Sequence, residues 1–526
     1  MAQLPALIVS GDFLPGGGPL NGRRWAGQQL LRLWGQAAGD DPITLLLADP
    51  ADPSPYAAVL QQAGHSGGLQ ALPFIHPQPL AAVGGLFLAD ASIGRWAQWR
   101  QPVGQASFSL IGQIHTICTP AAIGQIQELA TEPLAPWDAL ICSSSAGKAV
   151  VEALLLDREQ QLVQRGGADP EQLRRQRPQL PVIPLPIPVA SLQAGLPARD
   201  QARSRLGIEP EAHVLLWLGR LSLLTKLDPA PLYRLLEPLA QQLPGPLVLI
   251  ECGPDDTEQQ ASHFNDLRRL CPNVRFLRLG GAEPVAEAVK AAALAAADVG
   301  CFLVDNLQET FGLAVAEAMA AGLPIVASNW DGYRDLVRHG VDGFLVPTRF
   351  AASAAGASFP LAWQQLTGLL PYPLVAGAMA QLVQLDLGQV SAALHTLLHS
   401  PALARAMGAA ARRQAASRFA EDVVMAAYQQ LFADLAERRR LAPPAAGASK
   451  PPSLALDPVR AFAGYPSQPP LPDLAAMAEE PSLAALPPAL LAGRASLWQL
   501  IRQALPAEGQ ARFLHDLLRK HTGAHG

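Results

Sequence analysis

Residues 309–322, with the sequence ETFGLAVAEAMAAG, constrain the fold and chemistry of this chain more than any other stretch. Two glutamates, Glu309 and Glu317, frame the segment with seven residues between them. The small and apolar residues around Glu317 indicate a buried helix that begins at Gly312 and ends at Gly322. Because a buried carboxylate is costly when nothing pairs with it, Glu317 predicts a polar partner or a ligand.

The two ends of this segment suit different parts of one ligand. A helix start offers free backbone N–H groups and a partial positive charge, which favour a phosphate. Carboxylates accept hydrogen bonds from sugar hydroxyls. Two glutamates at this spacing also occur as solvated charges on ordinary helices, so the interpretation depends on the surrounding sequence. Together these features predict a site for a nucleotide sugar.

Bulk composition limits the classes of protein that fit. The chain has 526 residues, of which 49% are hydrophobic, and this predicts two or three domains with large cores. The net charge of −5 argues against general nucleic-acid binding, which needs a basic face. Five scattered cysteines without a CxxC pair indicate buried thiols rather than disulfides or a zinc site.

Targeting signals are not evident in the sequence. Residues 1–10 lack a basic segment ahead of an apolar stretch, so no signal peptide is expected. We also find no uncharged run of about 20 strongly apolar residues and expect no membrane span. A cytoplasmic location is therefore predicted, with peripheral membrane contact left open; the basic cluster at 174–177 suits such contact or an ordinary solvated helix face.

Short apolar runs alternate with helical patterns and predict parallel α/β sheets. Residues 182–189 are too rich in proline for a central strand and indicate a crossing between domains. Residues 385–440 have helical spacing, residues 442–493 resemble a linker rich in Pro and Ala, and residues 495–521 regain helical spacing. The predicted strands are residues 4–10, 43–47, 109–112 and 139–142 before the crossing, and 214–218, 247–251, 274–277, 299–303, 324–327 and 343–346 after it.

Three further features carry candidate chemistry. Arg220 and Lys226 follow a predicted strand, where a parallel sheet binds ligands, and they suit a diphosphate; a solvated basic loop is the alternative. His115 also follows a strand, although a lone histidine is more often structural. Gly17 and Gly18 lie in a glycine-rich loop that lets the backbone approach a phosphate.

These motifs, in this order and at these distances, resemble glycosyltransferase family 4, the group 1 glycosyltransferases. The resemblance is strong over 205–350, weaker over 1–190 and 385–440, and absent beyond 441. It implies a GT-B fold, in which two Rossmann-like domains face each other across a cleft, plus a C-terminal extension. The implied divisions are an N-terminal acceptor domain at 1–190, a nucleotide-sugar-binding domain at 191–420, a helix crossing back to the first domain at 421–440, and a linker with a small helical extension at 441–526.

The resemblance also assigns roles to individual residues. His115, Arg220, Lys226 and Glu309 would be catalytic: the two cations would neutralise the leaving diphosphate, Glu309 would contact the transferred sugar, and His115 would lie near the reacting carbon. The donor would be bound by the segment after Glu309 and by the glycine loop of the first domain. The residues implied to bind the donor are Gly17, Gly18, Phe311, Gly312, Leu313 and Glu317.

The implied activity is transfer, with retention of anomeric configuration, from a nucleoside-diphosphate sugar to a glycan, lipid or small-molecule acceptor, as in polysaccharide biosynthesis. We expect no cofactor and no essential metal, because a cation pair can stabilise the leaving group. Two alternatives remain open: a sugar-nucleotide epimerase of related fold, and an inactive nucleotide-sugar-binding scaffold.

The sequence departs from the family pattern at four places. Lys226 lies one residue farther from Arg220 than is common, Leu227 replaces a glycine, and Thr310 stands where glycine is frequent. An unfamiliar insertion covers residues 351–375, and both a lid and a plain surface loop fit it.

Overall fold

The computed structural model of the chain describes residues 3–15, 22–49, 52–442, 456–467 and 494–522. Parallel strands alternate with helices along most of this length, because each short apolar strand needs both faces covered. The strands form two six-stranded sheets and one two-stranded ribbon. The α/β class and the two facing Rossmann-like units predicted from the sequence are confirmed.

The first sheet has the strand order β3-β2-β1-β4-β5-β6, with every pairing parallel. Strands β3 and β4 were not predicted from the sequence; β3 is only partly buried and ends in proline. The strands are β1 (Ala6–Ile8), β2 (Ile43–Leu47), β3 (Leu69–Pro73), β4 (Gly85–Leu88), β5 (Ser109–Gln113) and β6 (Ala139–Ile141).

The second sheet repeats this topology in the order β9-β8-β7-β10-β11-β12. In such sheets ligands bind where the strand order reverses, which here is the crevice between β7 and β10. The strands are β7 (His213–Leu218), β8 (Leu247–Cys252), β9 (Val274–Leu279), β10 (Val299–Phe302), β11 (Ile325–Ser328) and β12 (Gly343–Val346). The antiparallel ribbon consists of β13 (Thr348–Phe350) and β14 (Val383–Leu385).

Helices cover both sheets. Those along the first part of the chain are α1 (Gly22–Ala38), α2 (Ser54–Gln62), α3 (Leu80–Val83), α4 (Ile93–Arg100), α5 (Pro120–Glu128), α6 (Ser145–Gly166) and α7 (Pro170–Gln176). The next are α8 (Val189–Gly195), α9 (Arg199–Leu206), α10 (Ala230–Ala240), α11 (Glu258–Leu267), α12 (Glu287–Ala296), α13 (Leu313–Ala321) and α14 (Tyr333–Leu336).

The remaining helices complete the second unit and the extension. They are α15 (Ala354–Leu366), α16 (Tyr372–Ala380), α17 (Leu387–His399), α18 (Pro401–Arg418), α19 (Glu421–Arg440), α20 (Pro458–Ala461), α21 (Ala495–Ala504) and α22 (Ala507–Thr522). Short 3₁₀ helices lie at Gly11–Phe13, Gln101–Val103 and Arg268–Leu270.

Helix α19 packs against the first sheet although it follows the second in sequence. The Tyr428 and Phe432 rings lie in one aromatic cluster with Trp34 and Phe87. The chain crosses between the units at 182–189 and again at 419–420, where the Ile187 amide donates to the carbonyl oxygen of Phe419 at 2.7 Å. The domain limits at 190, 420 and 440 stay predictions.

Within the described ranges, no helix is long and apolar enough to cross a membrane. Of the proposed linker, residues 456–467 are described and consist of one short helix and turns with mostly exposed side chains. The predicted glycines of the first loop, Gly17 and Gly18, lie outside the described residues.

Candidate active site

The predicted cations and the first glutamate lie on adjacent loops of the second sheet. Arg220 and Lys226 follow β7, and Glu309 lies on the segment between β10 and α13. Since β7 and β10 are neighbours at the point where strand order reverses, these loops border the same crevice. The Lys226 Nζ contacts the Glu309 Oε2 at 3.1 Å. The longer spacing from Arg220 to Lys226 therefore does not prevent this lysine from reaching the glutamate.

The environment of Glu309 keeps its carboxylate charged. Burial acts to raise the pKa of Glu309, but Lys226 and the backbone N–H groups of Thr310 and Phe311 outweigh burial and hold that pKa below its usual value. An ionised glutamate beside an ammonium group can accept hydrogen bonds from sugar hydroxyls while the ammonium faces a phosphate.

Arg220 pairs with a carboxylate that sequence reasoning missed. Its Nη1 lies 3.0 Å from the Asp256 Oδ1, and the Ser222 hydroxyl donates to the Asp256 Oδ2 at 2.7 Å. Asp256 follows β8, the neighbour of β7 on the other side, so its position after a strand was the available signal. The Arg220 side chain keeps about 29% of its surface exposed, which leaves part of the guanidinium accessible to a ligand.

Helix α13 has the boundaries that its sequence predicts. Gly312 (φ +106°) precedes it and Gly322 (φ +91°) follows it, both in conformations that L side chains rarely adopt. A Cβ on Gly312 would lie 2.4 Å from the Tyr333 ring. Phe311 is buried and Leu313 opens the helix, so their backbone N–H groups lie at its start.

Glu317 has the partner that its burial requires. The Lys290 Nζ lies 3.0 Å from the Glu317 Oε1 and also 3.0 Å from the Glu287 Oε2. Burial raises the pKa of Glu317, and Lys290 opposes that shift. Lys290 and Glu287 lie on α12, which packs against α13, a pairing that no local pattern in the sequence indicates.

A turn after β11 brings a further carboxyl group to the site. The Gly332 Cα lies so close to the loop of Glu309 that a Cβ would be 2.6 Å from the Phe311 Cα. Asp331 has a φ of +38°, the only positive φ of a residue other than glycine in the described ranges. Its Oδ2 is buried without a hydrogen-bond partner there, and burial together with Glu309 raises the pKa of Asp331 well above its usual value.

The first unit approaches this loop from the opposite side. The Ser143 hydroxyl, just beyond β6, donates to the carbonyl oxygen of Thr310 at 3.3 Å. The Ser145 hydroxyl donates to the Asp335 Oδ1 at 2.5 Å. His115 is half-buried and lies two residues beyond the end of β5. The carboxyl ends of the two sheets therefore face each other across a cleft that His115 and Glu309 border from opposite sides.

The comparisons with known proteins agree with this architecture. Residues 212–358 match the family model described as Glycosyl transferases group 1. A phosphatidyl-myo-inositol mannosyltransferase of Mycobacterium leprae is 41% identical over 110 residues, which are 21% of this chain and 27% of that protein. A D-inositol 3-phosphate glycosyltransferase of Geodermatophilus obscurus is 33% identical over 218 residues, covering 38% of this chain and 42% of that protein. The matches thus span less than half of either relative.

Among solved structures, the N-terminal domain of trehalose-6-phosphate phosphatase from Candida albicans aligns with a TM-score of 0.52. The alignment covers 82% of this chain and 97% of that domain at 9% sequence identity, so the likeness concerns the fold alone. The family match thus confirms the predicted resemblance to the group 1 glycosyltransferases over residues 212–358.

Proposed function

We propose that this chain is a retaining glycosyltransferase that transfers a sugar from a nucleoside-diphosphate sugar to a hydroxylated acceptor. The observation that carries the proposal is the Lys226–Glu309 pair at the crevice between β7 and β10. It combines a cation for a phosphate with an acceptor for sugar hydroxyls in one place. Glu317, in the second turn of α13, is the group proposed to bind the ribose hydroxyls.

The proposed reaction needs no protein nucleophile. The bond between the anomeric carbon and the phosphate oxygen breaks, and the acceptor oxygen bonds to that carbon from the same face. The acceptor proton passes to the departing phosphate oxygen. Arg220 and Lys226 stabilise the negative charge that develops on the diphosphate, and the paired domains exclude water. In this account the transfer requires no metal, so EDTA is expected to leave the rate unchanged.

For the acceptor, we propose a chemical class and not an individual molecule. The names of both relatives contain inositol, and this favours testing inositol and inositol phosphates first among small-molecule acceptors. Glycan and lipid acceptors stay in the proposal, as does a cytoplasmic enzyme with peripheral membrane contact.

The test is calorimetric binding of UDP-glucose, UDP-N-acetylglucosamine and GDP-mannose to the wild type and to Glu317→Ala, followed by NMR of the products. We expect one donor to bind, the variant to bind it at least ten-fold more weakly, and the product to keep the donor's anomeric configuration. Release of an epimerised sugar without an acceptor would favour the epimerase. Binding without turnover would favour a scaffold protein, and binding of no donor would contradict all three.

A further inference from the structure

The insertion at 351–375 forms a helical element that is held at its base. Helices α15 and α16 lie between β13 and β14, whose pairing brings Phe350 opposite Val383. The chain therefore leaves and re-enters the second unit at adjacent points. No charged residue occurs between Arg349 and Asp386, so ion pairs do not fix the element to its surroundings.

Helix α16 packs directly on the loop that carries the candidate cations. Gly377 approaches Leu224 so closely that a Cβ would be 3.0 Å from the Leu224 Cα. The carbonyl oxygen of Leu224 also accepts a hydrogen bond from the Asn306 amide at 2.9 Å. The insertion, the Lys226 loop and the Glu309 loop are thus in one continuous packing arrangement.

Tyr372, the first residue of α16, connects this arrangement to the other side of the cleft. Its hydroxyl donates to the Gln308 Oε1 at 2.8 Å, next to Glu309 in sequence. The same oxygen lies 3.3 Å from the Cys118 Sγ of the first unit. Since tyrosine has one hydroxyl proton, which Gln308 accepts, the Cys118 thiol is the donor in the second contact. Cys118 lies three residues beyond His115, on the same connection between β5 and α5.

We propose that Tyr372 is a positioning residue that latches the cleft shut, tying the His115 segment to the Glu309 segment through its hydroxyl. The contact with Cys118 joins residues 254 positions apart and exists only while the two units face each other closely. Arg220 lies near enough to act electrostatically on Tyr372, which places the latch beside the proposed diphosphate site. The insertion is then a lid fastened by one side chain. Its effect on transfer rests on the proposed function, whereas the latch itself does not.

The Cys118 thiol can serve as a chemical probe of the latch. All five cysteines are described, and Cys142, Cys252, Cys271 and Cys301 are buried to 0–1% exposure, while Cys118 is half-buried. Burial raises the pKa of each of those four thiols to about 12 and raises the pKa of Cys118 as well, so it is solvent access that sets Cys118 apart. Modification by a thiol reagent such as DTNB therefore reports on Cys118.

The experiment compares the rate of DTNB modification of native wild type, Tyr372→Phe and Trp363→Ala. The Phe variant keeps the ring and removes only the hydroxyl, with its hydrogen bonds to Gln308 and Cys118. Loss of the bond that holds the Cys118 thiol is expected to raise the rate about 3- to 10-fold. Trp363→Ala removes a side chain of α15 that is 54% exposed, and should leave the rate unchanged. Cys118→Ser must abolish fast modification. An unchanged or slower rate in Tyr372→Phe overturns the latch.

Steady-state kinetics provide a second test of the latch. In Tyr372→Phe and Cys118→Ala we expect a higher KM for the donor and more donor hydrolysis per transfer, and the double variant should be no worse than either single one. Fully additive effects, or normal kinetics in both single variants, contradict the latch.

Protection of Cys118 by UDP or GDP tests the proposed function separately. If neither nucleotide slows DTNB modification of the wild type, while Tyr372→Phe is still modified faster, the latch is supported and the proposed nucleotide site is contradicted.

Discussion

Among single residues, the carboxyl groups in and near the candidate site differ in whether a lysine side chain pairs with them. Glu309 and Glu317 each have a lysine at 3.0–3.1 Å. Asp331, and Asp305 three residues beyond the end of β10, each have one buried oxygen without a hydrogen-bond partner in the described ranges. Unpaired buried carboxyl groups reduce stability and persist where the surrounding structure enforces them, often at functional sites. Stability measurements on these two residues therefore test the environment that the structure assigns to them.

Asp331→Gly should stabilise the protein, although it removes a carboxyl group from the site. Glycine adopts the φ of +38° without steric cost and removes the unpartnered Oδ2, against the loss of one hydrogen bond from the Tyr333 amide at 3.2 Å. We expect the free energy of unfolding to rise by about 1 kcal/mol, measured by urea denaturation. Asp331→Asn keeps the strained backbone and is the control. A glycine variant less stable than the wild type would show that the strain is absent.

Asp305→Asn should flatten the pH dependence of stability. Burial raises the pKa of Asp305 to about 7, against the opposing backbone N–H of Asp228, whereas an unfolded aspartate ionises at about pH 4. The folded state binds more protons between these values, so stability falls as pH rises through that window. Asparagine cannot titrate, and its amide has space because Asp305 lines a cavity of about 370 Å³.

For this variant, unfolding in urea at pH 5 and pH 8 is the measurement. The wild type should lose about 1–3 kcal/mol more stability than Asp305→Asn across this range. Parallel losses in the two proteins would mean that Asp305 ionises normally in the folded state.

At the level of elements, the sequence predicts helix α13 and its surroundings well. Gly312, Gly322 and the buried position of Glu317 follow from local residue types, because capping and burial are local properties. Asp256 and Lys290 could not be predicted from the motif, since each meets its partner from a different element. The helical form of the insertion was also missed, because its uncharged sequence suits a loop and a helix alike.

Gly312→Ala tests the start of α13. Alanine is strained at a φ of +106°, and its Cβ would lie 2.4 Å from the Tyr333 ring. We expect the variant to lose at least about 2 kcal/mol of stability and its affinity for nucleotides. Gly356→Ala, in α15 with nothing within 4 Å of the added carbon, is the matched control and should be neutral or slightly stabilising. Equal stability of both variants would contradict the described helix start.

At the scale of the whole molecule, the two units are joined by two chain crossings and by α19. Alternating strands and helices allow the α/β class to be predicted, and family resemblance supplies the facing arrangement. The contacts that set the width of the cleft could not be predicted, since they pair residues far apart in sequence such as Ser143 with Thr310 and Cys118 with Tyr372.

Phe432→Ala should detach α19 from the first unit. The ring is buried beside Trp34 and Phe87, and truncation of a buried aromatic costs roughly 3–5 kcal/mol. Faster limited proteolysis within α19 and a lower urea midpoint are the readouts. Leu441→Ala removes a side chain that is 67% exposed at the end of the helix and should change neither. If the two variants behave alike, α19 does not hold the units together.

We propose above all that Lys226, held by Glu309 at 3.1 Å, stabilises a departing nucleoside diphosphate together with Arg220. The most direct measurement is the rate of UDP or GDP release from a panel of sugar nucleotides, with inositol phosphates and oligosaccharides as acceptors, for the wild type and Lys226→Met. We expect release from one donor, accelerated by an acceptor and reduced about 10²–10³-fold in the variant with its fold intact. Equal rates in the two proteins, or no release from any donor by the wild type, would contradict it.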